Sequence, residues 1–146
     1  MKKKSLAFFV LLLIFATLVG CGDPKVTGKV TFPDGSPLAT GQVMFQSEGF
    51  IGSGNIQSNG TYSAGKFKDG DGLPPGKYQV FITGASSYDE SELELKPAEV
   101  TIGQRPMFKT PTPTVLISVK YMSPKSSGLT VDVKGNTKFD ITVEKP

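Results

Sequence analysis

The chain has no histidine, no tryptophan and one cysteine among 146 residues. Without histidine there is no Ser–His–Asp or Cys–His nucleophile and none of the usual histidine-bearing zinc sets. A single cysteine allows no intrachain disulfide, so a core has to hold without staples. The missing tryptophan removes the largest flat aromatic for stacking on sugar rings. Charge of one sign is also missing from most of the sequence. The formal +3 is carried by Lys2, Lys3 and Lys4, and the remaining 13 Lys and Arg balance 13 Asp and Glu. Such a balance leaves no electrostatic footprint for a phosphate backbone, so no nucleic-acid partner is expected. Beyond the N-terminal run no window holds a helical period, and no cofactor motif is present.

What is there begins with the cysteine. Lys2 to Lys4 are followed by Leu6–Val19, 14 residues without charge. That is short of the ~20 helical residues needed to span a bilayer core. A basic start, a short apolar run and small residues at its end describe a secretory signal. Leu18, Val19 and Gly20 before Cys21 fit the aliphatic, small or aliphatic, and small positions of a bacterial lipoprotein cleavage motif. The expectation is a signal peptide over 1–20, a lipidated Cys21 and a short tether over 21–25. Two or three acyl chains on one residue would anchor the chain stably, where one is marginal. This puts the protein on the exported face of a cell membrane. Gly22, rather than an Asp, directly after the cysteine leans towards the outer membrane where the host has one.

The remaining 126 residues are one domain's worth, enough to bury roughly two-thirds of the unfolded surface. Short alternating runs predict strands with one face buried. Val26, Gly28, Val30 and Phe32 alternate with Lys25, Thr27, Lys29 and Thr31. Tyr78, Val80 and Ile82 form a second run, and Val115, Ile117, Val119 and Tyr121 a third. Leu129, Val131 and Val133, then Phe139, Ile141 and Val143, complete the set. Turn pairs fall between runs: Asp34-Gly35, Asn59-Gly60, Asp71-Gly72, Pro75-Gly76 and Gly135-Asn136. Keeping both apolar faces together in the last hairpin calls for a three-residue loop at Gly135–Thr137, with Val133 opposite Phe139. The fold class expected is all-β, a single antiparallel sandwich of seven or eight strands over 26–146. Alternation weakens from Gly84 to Thr114, a stretch with an acidic first part and Pro97, Pro106, Pro111 and Pro113 after it. It reads as an extended loop insertion with Ala98–Ile102 as a short strand; insertions of this length are usually functional or mobile.

Several of these segments carry a resemblance. The opening Lys25–Phe32, Asp34–Ala39 and Gly41–Phe45, the hairpin Ser58–Tyr62 and the sequence Leu73-Pro-Pro-Gly-Lys-Tyr78 resemble carboxypeptidase-regulatory-like domains. Lys120-Tyr121, Ser127–Thr130 and Phe139–Ile141 are similar to the small lipoproteins of this type common in planctomycetes and related bacteria. The resemblance implies a transthyretin-like (prealbumin-like), Ig-like sandwich that is non-catalytic, and it supplies no catalytic residue. Tyr62 and Tyr78 are then core aromatics with hydroxyls reaching the rim.

Candidate sites are few. Phe50 and Ile51, in a glycine-rich loop, and Met107 and Phe108, in the proline-rich stretch, are candidate anchors for a protein partner of the cell envelope. Tyr88 and Phe50 could instead serve an envelope polysaccharide. Asp69-Gly70-Asp71-Gly72 resembles the start of a calcium loop, but Val80 stands where an EF-hand needs its Glu, so a turn is expected and no metal. Asp132 and Asp140 read as solvated, and Lys29 with Asn136 is a nominal isopeptide pair. The function expected is a membrane-anchored, non-catalytic interaction or structural module, with polymer binding as the alternative.

Overall fold

A computed structural model of the chain describes residues 22–88 and 112–146. The motif Leu18-Val19-Gly20-Cys21, the strand expected at 98–102, and Met107 and Phe108 lie outside those residues.

Strand β1 (Val26–Thr31) buries Val26, Gly28 and Val30 and exposes Thr27 and Lys29, as its alternation predicts. It pairs antiparallel with β4 (Thr61–Ala64), Val26 opposite Ala64 and Gly28 opposite Tyr62. On its other side run β9 (Thr137–Lys138) and β10 (Ile141–Thr142), both parallel to it. The second sheet has the order β3-β2-β5-β8, from β2 (Gln42–Ser47), β3 (Phe50–Asn55), β5 (Gly76–Thr83) and β8 (Leu129–Val133), every pair antiparallel. A two-stranded ribbon, β6 (Ser86–Ser87) with β7 (Thr114–Val115), ties the two described ends of the 84–114 insertion together. The all-β sandwich is therefore present as two four-stranded sheets plus this ribbon, with a parallel component that alternation could not foresee.

The inner faces meet in one core. Val26, Val30, Tyr62, Ala64 and Ile141 face Val43, Phe45, Val80, Ile82 and Val133. Phe45 sits at its centre, its ring 6.0 Å from Tyr62 and 6.4 Å from Tyr78, so three aromatics link the sheets. Both tyrosine hydroxyls donate to backbone carbonyls, Tyr62 to Phe139 at 2.6 Å and Tyr78 to Pro74 at 2.7 Å. The one buried polar side chain among the described residues is Ser127, whose hydroxyl donates to the Val80 carbonyl at 2.5 Å.

Two expectations are corrected. The last two runs do not form a hairpin: β8 belongs to one sheet and β9–β10 to the other. The three residues Lys134–Asn136 join them, and Thr137, Phe139 and Val143 donate their N–H groups to Lys25, Thr27 and Thr31. Two inward-facing strands can sit side by side or across the core from each other, and period 2 is satisfied either way. The run at 115–121 is also not a strand. Beyond β7 the chain enters a 3-10 turn at Val119–Met122, leaving Val119 73% exposed while Ile117 and Tyr121 are buried. Ile117 is buried in the segment before the turn and Tyr121 within it, so two buried positions at even spacing do not require a continuous strand.

Candidate functional site

The polar face of the β3-β2-β5-β8 sheet forms an open groove of about 720 Å³. Its floor follows from strand register. Gln46 of β2 lies opposite Gln79 of β5, which lies opposite Thr130 of β8. One step along, Lys77 faces Asp132, and Glu48 closes the end of β2. These are the outward positions of strands whose inward positions are Phe45, Tyr78, Val80 and Val131, so the core fixes the spacing of the polar row. The groove offers amides, a hydroxyl and charges of both signs, groups that hydrogen-bond a hydrated polymer or the polar rim of a protein interface. Asp132 is engaged by Lys134 at 3.3 Å on an exposed surface, an arrangement of little energetic weight.

The residues nominated from sequence part company. Phe50 and Ile51 belong to β3 rather than a loop, and neighbours in a strand point to opposite faces. Phe50 turns inward against the core, its ring 6.0 Å from Tyr78 at 72°. Ile51 turns outward, 57% exposed, opposite Gln46 at the border of the groove. Tyr88 is 56% exposed, but it follows the Thr83 end of β5 while the groove lies towards the Lys77 end. The groove is not visible in the sequence, because its residues come from three strands whose lateral order alternation does not specify. Gln79, a polar residue inside the alternating run Tyr78–Ile82, is a signal the sequence offers for it.

The carboxylates serve the loops and strands. Asp69 accepts from the Asn55 backbone and side-chain amides, at 3.2 and 3.0 Å. Asp71 accepts from the Lys68 N–H at 3.2 Å, so the calcium-like tetrad is turn chemistry. No cluster of three potential metal ligands occurs among the described residues. Asp140 is held below the ordinary carboxylate range by the Lys138 side chain, helped by the Lys29 N–H at 3.0 Å and opposed by slight desolvation. Asn136 accepts from the Lys25 N–H at 2.9 Å and thereby fastens the loop to the start of β1.

The fold has two distinct ends. At one, Pro24 accepts from the Leu73 N–H at 3.0 Å and the chain leads through Gly22 towards Cys21. At the other, Thr31 meets Val143, Gly41 approaches Ala85, and the β6–β7 ribbon roots the insertion. The eight residues of β5 run from the first end to the second, about 25 Å at strand rise.

No family model matches this sequence, and no curated protein matches it. Among solved structures it is similar to a DUF3823 family protein from Bacteroides ovatus ATCC 8483, with a TM-score of 0.43 and 19% identity. The alignment covers 83% of this chain and 44% of that one, so this chain spans under half the length of its neighbour.

Proposed function

We propose that this protein is an exported lipoprotein, acylated at Cys21, whose non-catalytic carboxypeptidase-regulatory-like sandwich presents a binding surface to an envelope protein. The opposition of the two ends supports this reading. The segment leading to Cys21 leaves one end, and the insertion carrying Met107 and Phe108 is rooted at the other. From Gly22 to Lys25 the chain reaches ~14 Å at full extension, so an anchor at Cys21 keeps the domain near the bilayer. The insertion is then carried outward, to where the exposed part of an envelope protein can meet it. Palmitate labelling of wild type and Cys21→Ser tests the anchor; label retained in the variant overturns it. In-cell crosslinking with a Phe108→Asp variant tests the partner. One envelope protein captured by wild type and lost by the variant is the expected result; equal capture by both overturns the assignment of the surface.

The groove supports a second reading, binding of an envelope polysaccharide across Gln46, Gln79 and Thr130. Retardation of the protein in polysaccharide-containing native gels, abolished by Gln79→Ala, would favour it over the first.

A further inference from the structure

The most exposed large apolar side chain among the described residues is Phe67, 87% accessible. It stands at the tip of the loop between β4 and β5, flanked by Lys66 and Lys68. The Lys66 ammonium lies 5.3 Å from the Phe67 ring centroid, and the Lys68 side chain is 81% exposed. The loop's two acids are turned back into it, Asp69 onto Asn55 and Asp71 onto the Lys68 N–H, with the Lys68 ammonium 3.9 Å from Asp71. An aromatic ring with lysines on either side is the composition that sits at a membrane–water boundary.

A second observation gives this tip a direction. The loop rests on the segment that leads to Cys21. The Lys25 ammonium donates to the Gly70 carbonyl, Gly72 packs on the Asp23 and Pro24 backbone, and Leu73 donates to Pro24. The Gly70–Leu73 side of the loop therefore packs on the tether, while Asp69, next to Lys68, is fastened to Asn55 of β3. We infer that the Lys66–Lys68 tip is a lipid-contact site: Phe67 enters the interfacial region of the bilayer while Lys66 and Lys68 meet anionic headgroups. The inference rests on the lipid-anchor reading for the position of the membrane. It adds a second point of attachment, which fixes the domain's orientation and directs the far end, with the insertion, away from the lipid.

The lack of native tryptophan makes the test clean. Phe67→Trp places a single indole reporter at the tip in the full chain. Val119→Trp places one at the opposite end, where Val119 is 73% exposed beside Ser118, whose N–H bonds to Glu144. Each protein is mixed with phosphatidylglycerol-containing vesicles carrying brominated acyl chains, and acylation of Cys21 is read by mass in the same samples. The expected result is a quenched and blue-shifted tip reporter in F67W, with the far-end reporter in V119W unaffected. Adding Lys66→Glu to F67W should weaken any vesicle binding about fivefold, equivalent to roughly 1 kcal/mol per headgroup-facing lysine. Acylated F67W protein with its indole unquenched overturns the inference and leaves the anchor standing. Unacylated F67W protein with its indole quenched removes the anchor and sustains the lipid-contact site. Quenching of both reporters, or of neither without acylation, overturns the inference.

Discussion

Tyr62 reaches the opposite sheet through its ring, against Phe45, and ties β4 to the stretch between β9 and β10 of its own sheet through its hydroxyl. Burial, with a smaller push from the charge of Asp140, raises its pKa well above 10.0. The neutral phenol is therefore the form the fold requires. A folded-state pKa above the unfolded value means stability that is complete below pH 10 and lost as pH rises from there towards the folded pKa. Alkaline unfolding should thus steepen above about pH 10 by up to about 1.4 kcal/mol per pH unit, and Tyr62→Phe should remove that slope. At neutral pH the same variant leaves the Phe139 carbonyl short of a donor, at a cost of about 1–3 kcal/mol. Chemical denaturation of both proteins at neutral pH and across roughly pH 9–11 checks both statements. Ser127 makes a comparable argument without titration. Its hydroxyl donates to Val80 and accepts from the Leu129 N–H at 3.3 Å, joining the start of β8 to the middle of β5. Ser127→Ala should cost about 1–2 kcal/mol in urea denaturation, while Ser126→Ala, exposed, should cost less.

At the scale of elements, β1 is crowded on both sides, and Gly28 is where the crowding is greatest. A Cβ there would overlap the Phe139 carbonyl and come within 2.9 Å of the Tyr62 hydroxyl. That carbonyl belongs to the stretch between β9 and β10, where the chain bends around β1. Gly28→Ala should destabilise by about 1–3 kcal/mol, read as a drop in thermal midpoint, with Thr27→Ala as the neutral neighbour. Sequence alternation placed Gly28 on the inner face together with Val26 and Val30, and that much was legible. What presses against it is not, because alternation in the closing strands fits a hairpin with β8 as well as pairing with β1. The β5 run and its inward Tyr78, Val80 and Ile82 were legible for the opposite reason, since one face alternates cleanly and the Pro-Pro-Gly turn before it sets where it starts. Between Val115 and Tyr121 the same alternation misleads, because Ile117 is buried before the 3-10 turn and Tyr121 inside it, with Val119 left exposed between them.

At the scale of the whole molecule, the candidate groove was illegible for a reason of topology. Gln46, Gln79 and Thr130 are far apart in sequence and meet only in the order β2-β5-β8. Phe50 and Ile51 were visible as apolar residues, but their separation onto two faces needed β3 to be recognised as a strand. The insertion offers a more decisive experiment than any single residue. Ser86 lies opposite Val115 and Ser87 opposite Thr114, so the two described roots already stand at hairpin distance. Replacing residues 89–111 by one glycine leaves a short turn that this ribbon can close. Shortening the connection favours folding by about 1–2 kcal/mol in loop-closure entropy. If the insertion is a partner-binding element carried by a self-sufficient sandwich, the shortened protein keeps its thermal midpoint or gains a few degrees, and loses partner capture in the crosslinking experiment. If the midpoint instead falls by about ten degrees or more, on the order of 2 kcal/mol for a domain this size, the segment completes the core rather than serving a partner. Calorimetry and crosslinking on the same two proteins separate these outcomes, since the first reports the sandwich and the second its far end.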